Sequence, residues 1–479
     1  MTRWQVRGAA LVLAAFVAGV AVVVALNLRD EDDRAAAPTT RAATDTDAGA
    51  DAVERGRYLA LAGNCAGCHT APGGPAYAGG VGIPTPFGVV FAGNLTPDAA
   101  GLGAWTAADF RRALHNGRSR DGRLLYPAFP YTHFTQISRD DSDALFTYLR
   151  GVPAAAQANR RHELAFPYNT QAALAVWRAL YFRPGVFRAD ASRDAEWNRG
   201  AYLVRGLGHC SACHAPRNWL GGLDDTPELQ GGLIPQLKWF APALAPALAP
   251  ALAPVPAPAL SNGPARTLTP PLVPQPTPPL TPPLATALST SPTTSPGPAA
   301  AGPTSAELQA RWVALLKTGQ TAHGSASGPM AEVVFNSTQH LRDGDLHAMA
   351  RFLAELPPRP ALPQALFAAP PLAQQQAGRA LYKDRCASCH GDDGGGVKGA
   401  YPPLAGNAAV TMEPPANLVR IVLEGGFQPA TAGNPRPHGM PPFAQALSNA
   451  ELAAVLTHVR TAWGNRAAAL QELDVARYR

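Results

Sequence analysis

The sequence predicts an all-α protein of three tandem units behind an N-terminal transmembrane helix, on three observations. One five-residue pattern, C-x-x-C-H, occurs three times, at Cys65 to His69, Cys210 to His214 and Cys386 to His390, and uses all six cysteines of the 479 residues. Each copy follows a short helical pattern and is followed, after loops, by another. Ala9 to Leu26 is an unbroken apolar run. The length suits about three domains of ordinary size.

The apolar run, at 1.5 Å per residue, spans about 27 Å and just reaches across a bilayer. Arg3 and Arg7 precede it and the charged stretch Arg29 to Arg34 follows, so the arginines stay cytoplasmic and the remainder is exported. A cleaved signal peptide is the alternative. It would have a shorter apolar core and small residues at its end, where this chain has Leu26-Asn27-Leu28. Residues 1–33 are therefore read as an anchor or signal, and 34–51, rich in Ala, Thr and Asp, as a tether.

The first unit covers 52–153. It opens with Val53 to Leu61 and closes with Ser138 to Arg150, where Ser138 and Asp141 have capping-box spacing and Leu145, Phe146 and Leu149 form an apolar stripe. The second covers 190–357, opening with Arg199-Gly200-Ala201-Tyr202-Leu203, an echo of Arg55-Gly56-Arg57-Tyr58-Leu59, and closing with Asp343 to Leu353. The third, 370–465, opens with Gly378-Arg379-Ala380-Leu381-Tyr382 and closes with Ser448 to Trp463. Aromatic residues on these helices are read as core. Inside the second unit, 241–303 turns Pro-rich with Arg266 as its one charge between Ala241 and Pro303, a composition that cannot make helix hydrogen bonds or bury a core. Helix signals resume with a capping box at Thr304 and Glu307.

C-x-x-C-H is the attachment motif of c-type haem: two thiols add to the porphyrin vinyl groups, and the adjacent histidine ligates the iron. Structural zinc would need further cysteines, and none remain; a thioredoxin-like dithiol would need a βαβ setting. The expected cofactors are three covalently bound haem c groups, on Cys65 and Cys68, Cys210 and Cys213, and Cys386 and Cys389, with His69, His214 and His390 as fifth ligands. Maturation of such haems outside the cytoplasmic membrane places the units on the periplasmic side.

The sixth ligand decides whether an iron is closed to small molecules, and methionine raises its potential. The chain has five methionines, Met1 among them. In unit three, Met440 in Pro437-His438-Gly439-Met440-Pro441-Pro442 sits on a Pro-bounded loop before the closing helix, with Met412 and His438 as weaker competitors. In unit two, Met330 occupies the equivalent place, while Met349 lies in the apolar stripe of the closing helix. Unit one has no methionine and reads Leu125 to Phe134 (LYPAFPYTHF) there. The alternatives are His133, an open iron, or the more distant His115.

A net charge of +6 spread along the chain gives nucleic-acid binding little support. No Ser-His-Asp, paired-carboxylate or phosphate-loop pattern points to catalysis by the chain itself, so no catalytic residues are assigned.

Each unit, a short helix, a haem motif, loops and a closing helix, resembles class I cytochrome c. From Glu54 to Asn465, apart from the Pro-rich insert, the chain is similar to three-haem cytochrome c subunits of membrane-associated periplasmic dehydrogenases. The strings that carry the resemblance include CAGCHTAPGG from Cys65, TPFG from Thr85, NLTP from Asn94, GAYLVRGLGHCSACH from Gly200, LKTG from Leu316, GPMAEV from Gly328, LAGN from Leu404, RIVLEGG from Arg420 and WGNR from Trp463. The resemblance implies an inner-membrane electron carrier between a catalytic dehydrogenase subunit and ubiquinone or a terminal oxidase. Subunits of quinoprotein alcohol and flavoprotein gluconate-type dehydrogenases typically carry methionine where Phe129 stands. The YPAFPY and HFT strings, with Phe166 to Asn169 and Trp177, look more like cytochromes paired with molybdenum hydroxylases of N-heteroaromatics or aldehydes. In that group the histidine matching His133 is a ligand candidate. A haem enzyme or gas sensor acting at an open first iron is the rival from another class; a free shuttle is disfavoured by the anchor and the fused units.

Overall fold

Each C-x-x-C-H motif is bracketed by two helices that cross on a glycine. In the computed structural model, which describes residues 3–28, 46–224, 227–234, 236–245, 303–358 and 369–479, a methyl group on Gly56 would overlap the Ala144 carbonyl oxygen. Gly200 stands in the same relation to Ala348, and Gly378 to Ala454. The glycine lets two backbones approach as no side chain would allow.

The elements run as follows. After α1 (Arg3–Asn27), the first unit holds α2 (Thr46–Ala62), α3 (Cys65–His69), the hairpin β1 (Gly82–Thr85) and β2 (Gly88–Phe91), α4 (Ala107–Asn116), α5 (Tyr131–Phe134) and α6 (Arg139–Arg150). A connecting segment adds β3 (Glu163–Leu164), antiparallel to β2, and α7 (Gln171–Tyr181). The second unit holds α8 (Ala195–Tyr202), continued by a π-turn over Leu203–Leu207, then α9 (Ser211–His214), β4 (Gly232–Ile234), β5 (Trp239–Ala241), α10 (Ser305–Thr318), β6 (Gln320–Thr321), β7 (Gly324–Ser325), α11 (Pro329–Asn336) and α12 (Asp343–Ala354). The third has α13 (Leu372–Arg385), α14 (Ala387–His390), α15 (Ala408–Thr411), α16 (Ala416–Glu424), β8 (Gly426–Phe427), β9 (Gly439–Met440), α17 (Asn449–Thr461) and α18 (Glu472–Ala476). The described residues are thus mostly helical, and short antiparallel ladders are the departure from an all-α chain. Helix α2 begins at Thr46, inside the stretch expected to be tether. Of the Pro-rich insert expected over 241–303, residues 246–302 lie outside the described residues, as does 29–45 of the anchor and tether.

Helix starts follow their caps. Thr106 with Asp109, Thr304 with Glu307 and Ser448 with Glu451 form reciprocal capping boxes. At α6 Ser138 accepts from the Asp141 amide, but the Asp141 carboxylate does not reach back, because it is taken elsewhere.

Asp141 and Asp345 occupy matching places on the closing helices α6 and α12. Each binds the arginine before its own crossing glycine: Arg55 Nε to Asp141 Oδ1 at 2.8 Å, and Arg199 Nε to Asp345 Oδ1 at 2.7 Å. Each also accepts a hydroxyl from the other unit: Tyr202 Oη donates to Asp141 and Tyr58 Oη to Asp345, both at 2.5 Å. Burial and the partner carboxylate push both tyrosines up to about 12. Burial pushes Asp345 up as well, yet the hydrogen bonds from Arg199 and Tyr58 leave its carboxyl below the usual range. The exchange fuses the first two units around one apolar core, in which Leu59, Ile137 and Leu145 meet Leu203, Leu346 and Phe352.

The third unit has Ala377 and Ala380 at the corresponding arginine and tyrosine positions, and Glu451 is used for its own capping box. Its core, centred on Tyr382, Val419, Leu452 and Leu456, is separate. It meets the second unit through a polar latch: the Asn417 side chain accepts from Phe240 N at 2.8 Å and donates to Phe240 O at 2.7 Å.

Tyr58→Phe should leave the half-buried Asp345 short of a donor and cost about 1–3 kcal/mol. Because Asp345 lies on α12, urea unfolding should be eased for α8 and α12 as well as for α2. Gly56→Val should cost more, on the order of 3 kcal/mol, since backbone has to move.

Candidate haem centres

The three motif histidines share one geometry. Nδ1 of His69 lies 2.7 Å from the Gly93 carbonyl, that of His214 2.6 Å from Pro242 O, and that of His390 3.0 Å from Pro402 O. Each carbonyl accepts a hydrogen bond from Nδ1–H, which fixes the tautomer and leaves Nε2 as a lone-pair donor. Burial lowers all three pKa values, so the rings are neutral, as ligation requires.

Several strings noted in the sequence exist to hold those carbonyls. In NLTP, Asn94 Nδ2 donates to Ala155 O and Gln157 O while its Oδ1 accepts from Thr96, pinning the strand end that carries Gly93. LAGN and WGNR interlock: Asn465 donates to Leu404 O and accepts from Gly406 N, beside Pro402.

None of the six cysteines forms a disulfide. Burial pushes Cys65 up to about 12 and Cys386 up to about 11, which argues against thiolate chemistry. Among the described residues no three or more His, Cys, Asp or Glu side chains are grouped as a metal site.

At the third motif Cys386 and His390 line an apolar cavity, and Met440 lines it too, with Leu404, Ile421 and Leu456. Met440 is placed by the β8–β9 pairing, in which it faces Gly426. Gly425, at φ 67°, lets that strand close, since a methyl there would overlap the Met440 carbonyl. Thiols, a neutral imidazole and a thioether around an apolar space are the donor set of a haem c, and these residues fit one. Met412 is engaged through its carbonyl by Arg460, and His438 is exposed and stacks on Tyr401.

Met330 lies in the first turn of α11, half-buried against the shared core. Gly328 before it has φ 52° and lies against the Trp239 ring, leaving no room for a side chain. Met349 is buried in the core, as its stripe position implies.

In unit one, Phe129 packs on Phe134 with ring centres 5.5 Å apart. His115 is a structural core residue, its Nδ1 2.8 Å from Thr135 O. His133 is different. It is buried, its Nε2 has no hydrogen-bond partner, and burial pushes its pKa down to about 3. The one hydrogen-bonding contact that works against that shift comes from the backbone of Arg205, in the π-turn of unit two.

Sequence reading missed the relation between the first two motifs. α5 packs on the π-turn that leads to the second motif, and α11 packs on α3 of the first. Cys213 is near enough to add to the upward shift of Cys68. His209, half-buried at φ 40° before Cys210, meets the Phe134 ring edge-on at 5.4 Å. The repeated Arg-Gly-x-Tyr-Leu string was the signal, though nothing local says its tyrosines cross between units.

The cytochrome c family model matches residues 53–153 and 375–463. The chain is 33% identical over 449 residues to the cytochrome c subunit of a quinone alcohol dehydrogenase from Gluconacetobacter polyoxogenes, covering 89% of this chain and 84% of that one. It is 32% identical over 451 residues to the gluconate 2-dehydrogenase cytochrome c subunit of Pantoea cypripedii, covering 89% of each. It is 37% identical over 420 residues to one of the subunits of the nicotinate dehydrogenase of Pseudomonas putida, covering 85% of this chain but 30% of that protein.

Proposed function

The chain belongs to the family of dehydrogenase cytochrome c subunits, a family of electron-transfer subunits, and we propose that it serves a periplasmic molybdenum hydroxylase acting on N-heteroaromatics or aldehydes. One observation carries the choice of partner: Phe129 stands where a thioether would be, with the buried, partnerless Nε2 of His133 four residues on. The likeness to a nicotinate dehydrogenase subunit points the same way. The long matches to alcohol and gluconate dehydrogenase subunits favour the second reading, a quinoprotein or flavoprotein partner. Ubiquinone or a terminal oxidase is the acceptor in either case, and α1 is the retained inner-membrane anchor.

Three tandem units would each hold one haem c, which when bound supplies a one-electron ferric/ferrous couple. Cys65 and Cys68, Cys210 and Cys213, and Cys386 and Cys389 form the thioether links; His69, His214 and His390 are the fifth ligands. Met330 and Met440 are the sixth ligands at the second and third centres, and His133 at the first. A neutral His133 held against the Arg205 backbone gives Nε2 to metal without breaking a hydrogen bond, which also explains a buried polar atom that has no partner. Imidazole stabilises ferric iron more than thioether does, so the first centre has the lowest potential of the three.

Affinity purification of the full chain from native membranes should bring down a molybdopterin subunit whose substrate reduces the haems. Recovery of a quinoprotein or flavoprotein instead would establish the second reading.

The mature polypeptide should carry three haem mass increments, and low-temperature EPR should show His133→Ala losing one low-spin ferric signal. Unchanged signals would remove His133 as ligand. Carbon monoxide binding to the reduced wild-type protein would then point to a haem enzyme or sensor at an open iron.

A further inference from the structure

The apolar helix α1 does not leave the body freely, because its last residue is built into it. Asn27 is buried: Nδ2 donates to Ala175 O at 2.9 Å, Oδ1 accepts from Arg178 Nε at 3.0 Å, and the backbone oxygen accepts from Arg118 at 2.9 Å. Ala175 and Arg178 belong to α7, in the connecting segment that neither haem motif uses. If α1 spans a bilayer, the point where it emerges is therefore fixed against α7.

The outer side of α7 is not that of a helix facing water. Ala172, Val176 and Leu180 recur every four residues along it, and Val176 and Leu180 are 47% and 54% exposed. The one charged residue of the helix, Arg178, is turned inward. A helix on an aqueous surface carries charged or polar groups on its free side.

Two aromatics flank the stripe. Trp177 Nε1 donates to Leu220 O at 2.9 Å and so ties α7 to the turn whose tip is Trp219, 81% exposed. Phe166, 80% exposed, precedes α7. Exposed Arg183 follows it, and exposed Arg120 lies two residues beyond the Arg118 that holds Asn27.

We propose that this face is seated in the bilayer: α7 lies in the interfacial layer beside the exit of α1, with Phe166 and Trp219 inserted as anchors. The inference rests on the reading of α1 as a retained anchor. Continuity with that helix selects lipid as the occupant, since a stripe held against the emerging end of a spanning helix lies at headgroup depth, where an amphipathic helix buries its apolar side and aromatic rings partition. Arg120 and Arg183 suit lipid phosphates at the rim. Trp219 lies on the turn that follows His214, so this seating points the second motif's end of the body toward the membrane.

The test uses the full chain with its haems in phosphatidylethanolamine–phosphatidylglycerol nanodiscs containing a lipid with an interfacial diazirine. Photolysis and peptide mass spectrometry map the adducts. Adducts on α1, on 172–181 and at Trp219 are expected. In Val176→Asp/Leu180→Asp, with haem content unchanged as the folding control, the α7 adducts should be lost while those on α1 remain. Adducts on α1 alone would overturn the proposal, and cross-linking of this face to a co-purified dehydrogenase would reassign it to a protein partner. Adducts on α7 and Trp219 with the α1 segment missing from the mature chain would uphold the face and overturn the anchor. No adducts on either would overturn both.

Discussion

A carbonyl oxygen packed where a side chain would otherwise stand sets the geometry of every unit. Gly56, Gly200 and Gly378 let the opening helix lie against the closing helix at Ala144, Ala348 and Ala454, and the motif cysteines begin within about three turns of that crossing. Where the helices cross decides where the thiols point and which loop faces them. In the first two units the crossing also aligns an arginine with an aspartate on the far helix. The aspartate, desolvated there, is satisfied by a tyrosine from the other unit. Without those donors the buried Asp141 and the half-buried Asp345 would each be left with unmet hydrogen-bonding capacity, which favours the pairing between units.

The motif histidines show how little is asked of the chain once the helices are placed. Each ring has a backbone carbonyl on Nδ1 and a pKa lowered by burial, and in the first and third units asparagines, Asn94 and Asn465, hold the loops that supply the carbonyl. What differs among the units is the residue proposed as the sixth ligand: Met440 on a short β-ladder, Met330 at a helix start, and His133 on the turn that follows Phe129.

Much of this was legible in the sequence because it is local. The motifs, the Thr304 and Ser448 caps, the Leu145–Leu149 stripe and the core position of Met349 depend on neighbours a few residues apart. The half-used cap at Ser138 was not legible, because Asp141 is claimed by Arg55, 86 residues away in sequence, and by Tyr202, 61 away. The Tyr58–Asp345 bond spans 287 residues, and no periodicity reports such a pairing. Helix α7 escapes a sequence reading for a different reason: its apolar stripe faces outward, so it does not belong to the core of any unit. His133 was visible as a candidate, but that its ring lies against the backbone of the second unit was not.

The first two units form one body and the third another, joined by the Asn417 latch and by side-chain bonds such as Gln339 to the Ala430 carbonyl and Thr431 to the Thr318 carbonyl. Native-state hydrogen exchange across a urea series reads this directly, because each helix reports its own opening. The account predicts that α2, α6, α8 and α12 lose protection at one urea concentration, while α13 and α17 do so at another. Separate midpoints for the α2–α6 and α8–α12 pairs would contradict it.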